Sequence, residues 1–322
     1  MWPMRILITD QNFNDDARIE RELIAATGHE LVVTACTGEA DVVEALEEHR
    51  PDALLVQFVK VGAEALAHAE SVRAIVRYGI GVDNIDIAAA AERGIAVARV
   101  PDYCIDEVAD QTIALVLAVE RRVVETATGT RTGEWNFRAG GPMRRLQGLS
   151  FGLLGFGRIA QAVARRAAPF GVKLLTHDVA VAPEALERLG VEAVSRDELI
   201  ERSDILSLHL PLTPETRGII GARELALLPQ GATVINTARG GLVDEPSLLA
   251  ALEGGRLGGA GIDVLEREPP AADDPLRTAP RIVLTPHAAW YSEAAIVELR
   301  TKAVEAALLL LAGGVPVGQV SP

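Results

Sequence analysis

The sequence predicts an α/β chain of two doubly wound domains, each a parallel sheet wrapped by helices. Three observations lead there. Short apolar runs alternate with amphipathic helical stretches, the pattern of βαβ units. The alternation is interrupted once, by a long helix and a Gly/Pro-rich segment, and then resumes. The chain has 322 residues, 49% of them hydrophobic, which suits two cores better than one.

In the first half the predicted strands are Arg5 to Thr9, Leu31 to Ala35, Ala53 to Gln57, Val72 to Val76 and Ile95 to Ala98. Helical patterns lie between them at Asp15 to Ala26, Glu39 to Glu48, Gly62 to Ala69 and Asp86 to Arg93. A long helix is expected from Ile105 to Thr126, with Asp102 as its N-cap and Glu107 and Asp110 near the positive end of its dipole. The segment Arg131 to Gln147 holds four Gly or Pro residues with Trp135 and Phe137, and reads as an arm outside the sheets. Strands follow at Ser150 to Leu154, Lys173 to Thr176, Ile205 to His209, Ala232 to Asn236, Gly259 to Asp263 and Ile282 to Leu284, and a last helix spans Ser292 to Leu311.

Charge and composition exclude several functions. With 31 basic against 45 acidic residues the net charge is -14, so nucleic acid is not expected as a partner. Cys36 and Cys104 supply neither a metal-ligand spacing nor a disulfide framework, so no metal is expected and a reducing cytoplasm is the expected compartment. The N-terminus lacks a signal-peptide pattern, and the most apolar stretch, Ala306 to Ala312, is far shorter than the roughly 20 residues a membrane span needs.

Gly155-Phe156-Gly157-Arg158-Ile159-Ala160 matches G-x-G-x-x-G/A. An apolar strand precedes it and a helix follows, so its backbone N–H groups could approach a pyrophosphate at a helix N-terminus. Asp178 ends the next strand, 18 positions after Ala160, where an acid can bind a ribose 2′-hydroxyl. A carboxylate there repels a 2′-phosphate, and Val179, Ala180 and Val181 offer no cation, so NAD is expected over NADP.

Arg239, Glu268 and His287 each lie just beyond an apolar strand of the second half, where open α/β sheets bind ligands. The set suits one reaction. Reducing a 2-keto acid takes a hydride at carbon 2, a proton for the carbonyl oxygen and a cation for the carboxylate. His supplies protons near neutral pH, a neighbouring carboxylate favours its protonated form, and Arg presents a fork that matches a carboxylate.

These residues sit in motifs that resemble the D-isomer-specific 2-hydroxyacid dehydrogenase family. The motifs are Arg77-Tyr-Gly-Ile-Gly-Val-Asp-Asn-Ile-Asp86, the Gly155 to Ala160 fingerprint, Leu208-His-Leu-Pro-Leu-Thr213, Asn236-Thr-Ala-Arg-Gly-Gly-Leu-Val-Asp244, Asp263 with Glu268-Pro269, and Thr285-Pro-His-Ala-Ala-Trp290. The resemblance implies a flavodoxin-like substrate domain from 1–101 plus 292–322 and a Rossmann NAD-binding domain from 102–291, with a cleft that closes over substrate. It implies Arg239, Glu268 and His287 as the catalytic set. Arg158, Ile159, Pro211, Thr237 and Ala238 would line the NAD site with Gly155, Gly157 and Asp178, and Asp263 would hold the nicotinamide carboxamide. Arg77, Tyr78 and the Gly79-Ile80-Gly81 loop would bind substrate, together with Trp290. A homodimer built through the cofactor domains is also implied, using the Ile105 to Thr126 helix and the arm.

Within the family, Pro286-His-Ala-Ala-Trp-Tyr-Ser-Glu-Ala-Ala295 resembles the C-terminal-binding proteins, NAD(H)-responsive co-repressors. The sequence ends at Pro322 with no disordered regulatory tail, so an enzyme is expected over an interaction protein. The other branch considered is phosphoglycerate dehydrogenase, which commonly places an Arg at the end of the third strand. Neutral Gln57 stands there, so a 2-keto acid other than phosphohydroxypyruvate is the expected substrate, although Arg77 and Lys60 near the predicted cleft leave an anionic tail open.

Overall fold

The computed structural model describes residues 3–11, 13, 16–181 and 183–321. They form two compact units, one of Met1–Tyr103 with Ser292–Pro322 and one of Cys104–Tyr291.

In the first unit β1 (Arg5–Ile8), α1 (Arg18–Ala25), β2 (Glu30–Val33), α2 (Glu39–His49), β3 (Ala53–Val56), α3 (Ala63–Ala67), β4 (Ala74–Arg77), α4 (Ile87–Glu92) and β5 (Ala96–Arg99) follow in strict alternation. The expected start of the first helix at Asp15 lies outside the described residues. The strands pair in parallel in the order β2-β1-β3-β4-β5. All four residues of β3 are buried, as a central strand covered on both faces requires. Leu54, Val56, Ile75 and Val97 meet Val42, Leu46 and Leu66 from the helices in one apolar cluster.

The second unit begins with α5 (Ile105–Glu120) and α6 (Val123–Arg131), where the sequence predicts one helix to Thr126. The break falls at Arg122, whose φ is 50°. Its side chain is buried and donates to the Gly258 carbonyl at 2.7 Å, a tertiary contact that overrides local helix propensity. The expected N-cap is also corrected: Cys104 occupies that position with no side-chain cap bond, and Asp102 pairs with Lys302 at 2.8 Å.

The remaining elements are β6 (Ser150–Leu154), α7 (Arg158–Ala167), β7 (Lys173–His177), α8 (Pro183–Leu189), β8 (Glu192–Ala193), α9 (Arg196–Arg202), β9 (Ile205–Leu208), α10 (Ala222–Leu227), β10 (Ala232–Asn236), α11 (Glu245–Glu253), β11 (Leu257–Ile262) and β12 (Ile282–Leu284). The parallel sheet runs β12-β11-β10-β9-β6-β7-β8. The two-residue β8 is too short to leave a pattern in the sequence. Strand order reverses between β6 and β9, which places the loops after these strands at the switch point where doubly wound sheets bind ligands. Between α6 and β6, Arg144 ties the arm down by donating twice to the buried Glu120 carboxylate, which also accepts from Thr233 Oγ1 at 2.6 Å.

The last helix, α12 (Glu293–Leu311), starts at Ser292, whose hydroxyl accepts from Ala295 N–H at 2.9 Å. It returns to the first unit and packs on α1 and on β3, β4 and β5.

Candidate active site

At the end of β6, Gly155 has φ 91° and its backbone runs so close to β9 that a Cβ would lie 2.7 Å from the His209 carbonyl oxygen. Only glycine fits that turn. Gly157 then caps α7, and a Cβ there would meet nothing within 4 Å, so the helix N-terminus opens onto space that a pyrophosphate can enter. Asp178, just past β7, accepts from Phe156 N–H at 2.6 Å and from Ala180 N–H at 2.7 Å. The acid therefore sits directly over the fingerprint loop. Arg158 is exposed and Ile159 half-buried on the first turn of α7, and Pro211 is exposed on the loop after β9. Burial holds the His209 imidazole down at about 3, so it stays neutral beside this loop, with Ser207 Oγ 2.9 Å from Nε2.

Asp263 follows β11 and is 2% exposed. Its carboxylate accepts from Thr285 Oγ1, from Ala288 N–H at 3.0 Å and from Ala289 N–H at 2.9 Å. A carboxylate offers about four acceptor positions, so one remains for a carboxamide. Its backbone carbonyl accepts from His287 N–H at 2.8 Å. The loop is thereby fixed with His287 at φ 51°, a left-handed conformation uncommon outside glycine. Held so, His287 Nδ1 meets Glu268 Oε2 at 2.6 Å. Glu268 Oε1 accepts from Leu265 N–H at 2.8 Å. Burial works to raise the Glu268 carboxyl, but the hydrogen bonds from His287 and Leu265 and the charges of His287 and Arg239 outweigh it and hold it below its ordinary 4.5.

Arg239 follows β10 in a turn knotted by one side chain. Asn236 Nδ2 donates to the Arg239 carbonyl at 2.8 Å, and Asn236 Oδ1 accepts from Ala238 N–H at 3.1 Å. Thr237 is buried with its hydroxyl 2.9 Å from that of Thr112 on α5. At Gly240 a Cβ would lie 1.9 Å from the Leu265 carbonyl carbon, so glycine is what lets the Arg239 turn and the Glu268 segment touch. Trp290 is half-buried, edge-on to Tyr291 at 6.0 Å. Among the described residues no group of three or more His, Cys, Asp or Glu could hold a metal ion, and no helix is long and apolar enough to cross a membrane.

In the first unit, the turn after β4 carries the other expected site residues. The Gly79 carbonyl accepts from Val100 N–H at 3.0 Å and the Ile80 carbonyl from Arg99 Nη1 at 2.9 Å. In a trans peptide N–H points opposite to C=O, so the Ile80 and Gly81 N–H groups are both turned away from β5. Neither donates to another described residue. Two adjacent amides of this kind suit one carboxylate. The side chains of Arg77 and Tyr78 are engaged inside the unit: Arg77 Nε donates to the Gln57 carbonyl at 3.2 Å, and the Tyr78 ring is 2% exposed. The Tyr78 side chain lies inside the unit, its hydroxyl donating to Glu20 Oε1 at 3.0 Å.

Sequence reasoning gave no role to Asn236, Gly240 or Thr285, although all three lie within the quoted motifs. It also missed Asp10, whose carboxylate accepts from the N–H groups of Gln57, Phe58 and Val59 at 2.6 to 3.0 Å. That acid also follows an apolar run, but the loop it holds lies 47 to 49 residues away in sequence.

With this geometry in hand, known proteins give a consistent comparison. Residues 113–289 match the D-isomer specific 2-hydroxyacid dehydrogenase, NAD binding domain. A glyoxylate reductase from Thermococcus litoralis is 43% identical over 75% of each chain. A D-3-phosphoglycerate dehydrogenase from Methanocaldococcus jannaschii is 39% identical over 88% of this chain and 53% of its own, so this chain spans about half the length of that relative. The crystal structure of a glyoxylate reductase from Paecilomyes thermophila superimposes with a TM-score of 0.89 at 31% identity, covering 99% of both chains. The chain belongs to the D-isomer specific 2-hydroxyacid dehydrogenase family.

Proposed function

We propose that this protein transfers a hydride between NAD(H) and carbon 2 of a small 2-hydroxy or 2-keto acid. The observation that carries this is the 2.6 Å contact of His287 Nδ1 with Glu268 on a domain that matches the family's NAD-binding domain. NADH, when bound, supplies the hydride. Glu268, kept ionised, accepts a hydrogen bond from Nδ1–H and leaves Nε2 as the nitrogen that gives a proton to the carbonyl oxygen in reduction and removes it in oxidation. Arg239 supplies a cation suited to a carboxylate, and within the first unit the Ile80 and Gly81 amides are hydrogen-bond donors suited to a carboxylate. Asp263 uses its remaining acceptor position to orient the nicotinamide carboxamide, while Asp178 binds the adenine ribose.

Several features support a substrate without a phosphate tail. Lys60 is paired with Glu39 at 2.8 Å, and three consecutive amides that could cradle an anion are turned onto Asp10. Trp290 adds a ring face suited to an apolar or planar substituent. A panel of glyoxylate, pyruvate, bulkier apolar keto acids and phosphohydroxypyruvate, each with NADH and NADPH, tests this. NADH turnover is expected, with phosphohydroxypyruvate not preferred. A specificity constant at least about tenfold higher for phosphohydroxypyruvate, or equal use of NADPH, would overturn the assignment.

His287→Ala is expected to lower kcat by about 100- to 10,000-fold while NADH affinity measured by fluorescence stays within about twofold. Parental turnover by that variant would remove the proton-transfer role.

Because the Glu268 carboxyl lies below 4.5 in the folded chain, the stability its ionised form contributes is complete above that value and disappears as the pH falls through the folded one. The Tm gap between parent and Glu268→Gln should therefore be steady above about pH 6 and close under more acid conditions. A gap that does not shrink as the pH is lowered through the acid range contradicts the pairing.

We also propose a cytoplasmic homodimer formed through the second unit. Cys36 and Cys104 are buried free thiols, which suits a reducing compartment. Trp135 and Phe137 on the arm are 91% and 82% exposed, and Val123 and Val124 at the start of α6 are about half exposed. Large apolar surface of this kind marks an interface. Light scattering should give twice 34.2 kDa at micromolar concentration, and only the single-chain mass would reject the dimer.

A further inference from the structure

One buried polar cluster in the first unit has no part in the chemistry above. Glu20 on α1 is 1% exposed, and Arg300 on α12 and Tyr78 after β4 are each 2% exposed. Arg300 Nε donates to Glu20 Oε1 at 2.8 Å and Nη2 to Oε2 at 2.5 Å, a two-point fork. The Tyr78 hydroxyl donates to Glu20 Oε1 at 3.0 Å. Phe13, from the loop after β1, closes the cluster with its ring 4.9 Å from the Arg300 guanidinium and edge-on to Tyr78 at 5.4 Å. Burial, with the Glu20 charge beside it, pushes the Tyr78 hydroxyl well above its ordinary range, so it remains a donor.

Burying an ion pair seldom stabilises a fold more than apolar side chains of the same volume would. What the pair does here is give the Tyr78 hydroxyl a fixed, charged acceptor. Tyr78 is directly followed by Gly79, whose φ is 144° and whose Cβ, were there one, would lie 1.6 Å from Arg77 Nη1. The turn is thus held from both ends, by Tyr78 before it and by Arg99 and Val100 behind it. The position of Tyr78 therefore bears on how the Ile80 and Gly81 amides, two and three residues on, present their hydrogens.

We propose that Glu20, Arg300 and Tyr78 are positioning residues for the carboxylate-binding turn, setting affinity for the substrate carboxylate from inside the domain. This rests on the assignment of Ile80 and Gly81 as carboxylate donors.

The test compares the parent with Tyr78→Phe, which deletes one hydroxyl, and with the paired replacement Glu20→Met and Arg300→Met, which removes both charges together and leaves neither buried alone. KM and kcat for the best keto acid, the Kd of the unreactive carboxylate oxamate with saturating NADH, the Kd of NADH, and Tm are measured for each. Tyr78→Phe should raise KM and the oxamate Kd together by about fivefold, with kcat changed less than about twofold and NADH affinity unchanged. A folded Tyr78→Phe chain with parental KM and oxamate Kd overturns the proposal, whatever happens to its Tm, because a merely structural cluster would change only stability or the active fraction. Should Tyr78→Phe not fold, the paired variant is judged on the same two constants. His287→Ala is the control that separates the two assignments. If it retains full turnover, the site assignment itself fails; if it is inactive while Tyr78→Phe binds oxamate normally, only the positioning role fails.

Discussion

The site in the second unit depends on one buried carboxylate, that of Asp263. A charge almost wholly removed from water is costly unless hydrogen bonds replace the lost solvent. Here three donors do so, and all three come from the loop between Thr285 and Ala289. The loop cannot relax without stranding the acid. That is why His287 can be held at φ 51°, a conformation that persists only where its surroundings over-determine it. The same residue locks the sheet edge: Asp263 N–H donates to the Asn236 carbonyl, and the Asp263 carbonyl accepts from His287 N–H. The ends of β10, β11 and β12 are therefore joined through one residue. Arg239, Glu268 and His287 each hang from one of those ends.

Close backbone approach completes the arrangement. The loop bearing Glu268 comes against Gly240 so tightly that no side chain fits between, and this brings the Arg239 charge within range of the Glu268 carboxyl. Glu268 is in turn pinned by Leu265 N–H from its own loop. The His287–Glu268 pair thus gains its geometry from main-chain contacts and a single buried acid, with few long side chains to order.

These sources of geometry decide how much could be seen in the sequence. Gly155 to Ala160, Asp178 and the residues just beyond β10, β11 and β12 were legible because each is a local signal: a glycine where the backbone must turn, or a polar residue where an apolar run stops. The parallel sheets were legible for the same reason, down to strands such as Ser150–Leu154 and Ala232–Asn236. What stayed hidden was set by partners far away in the chain. The helix break at Arg122 answers to Gly258, 136 residues on, and the loss of Asp102 as a cap answers to Lys302, 200 residues on. The Tyr78, Glu20 and Arg300 cluster spans 280 residues. Periodicity carries no record of such pairings, because each is made by a single side chain.

In the first unit, several loop donors are met by acceptors of the unit itself. The amides after β3 are taken by Asp10, Lys60 is taken by Glu39, and Arg77 Nε is directed at the Gln57 carbonyl. The Gly79 and Ile80 carbonyls accept from Val100 N–H and Arg99 Nη1, while the Ile80 and Gly81 N–H groups donate to no other described residue. The internal carboxylates of Asp10 and Glu39 thus take up the donors around them and hold these loops in place.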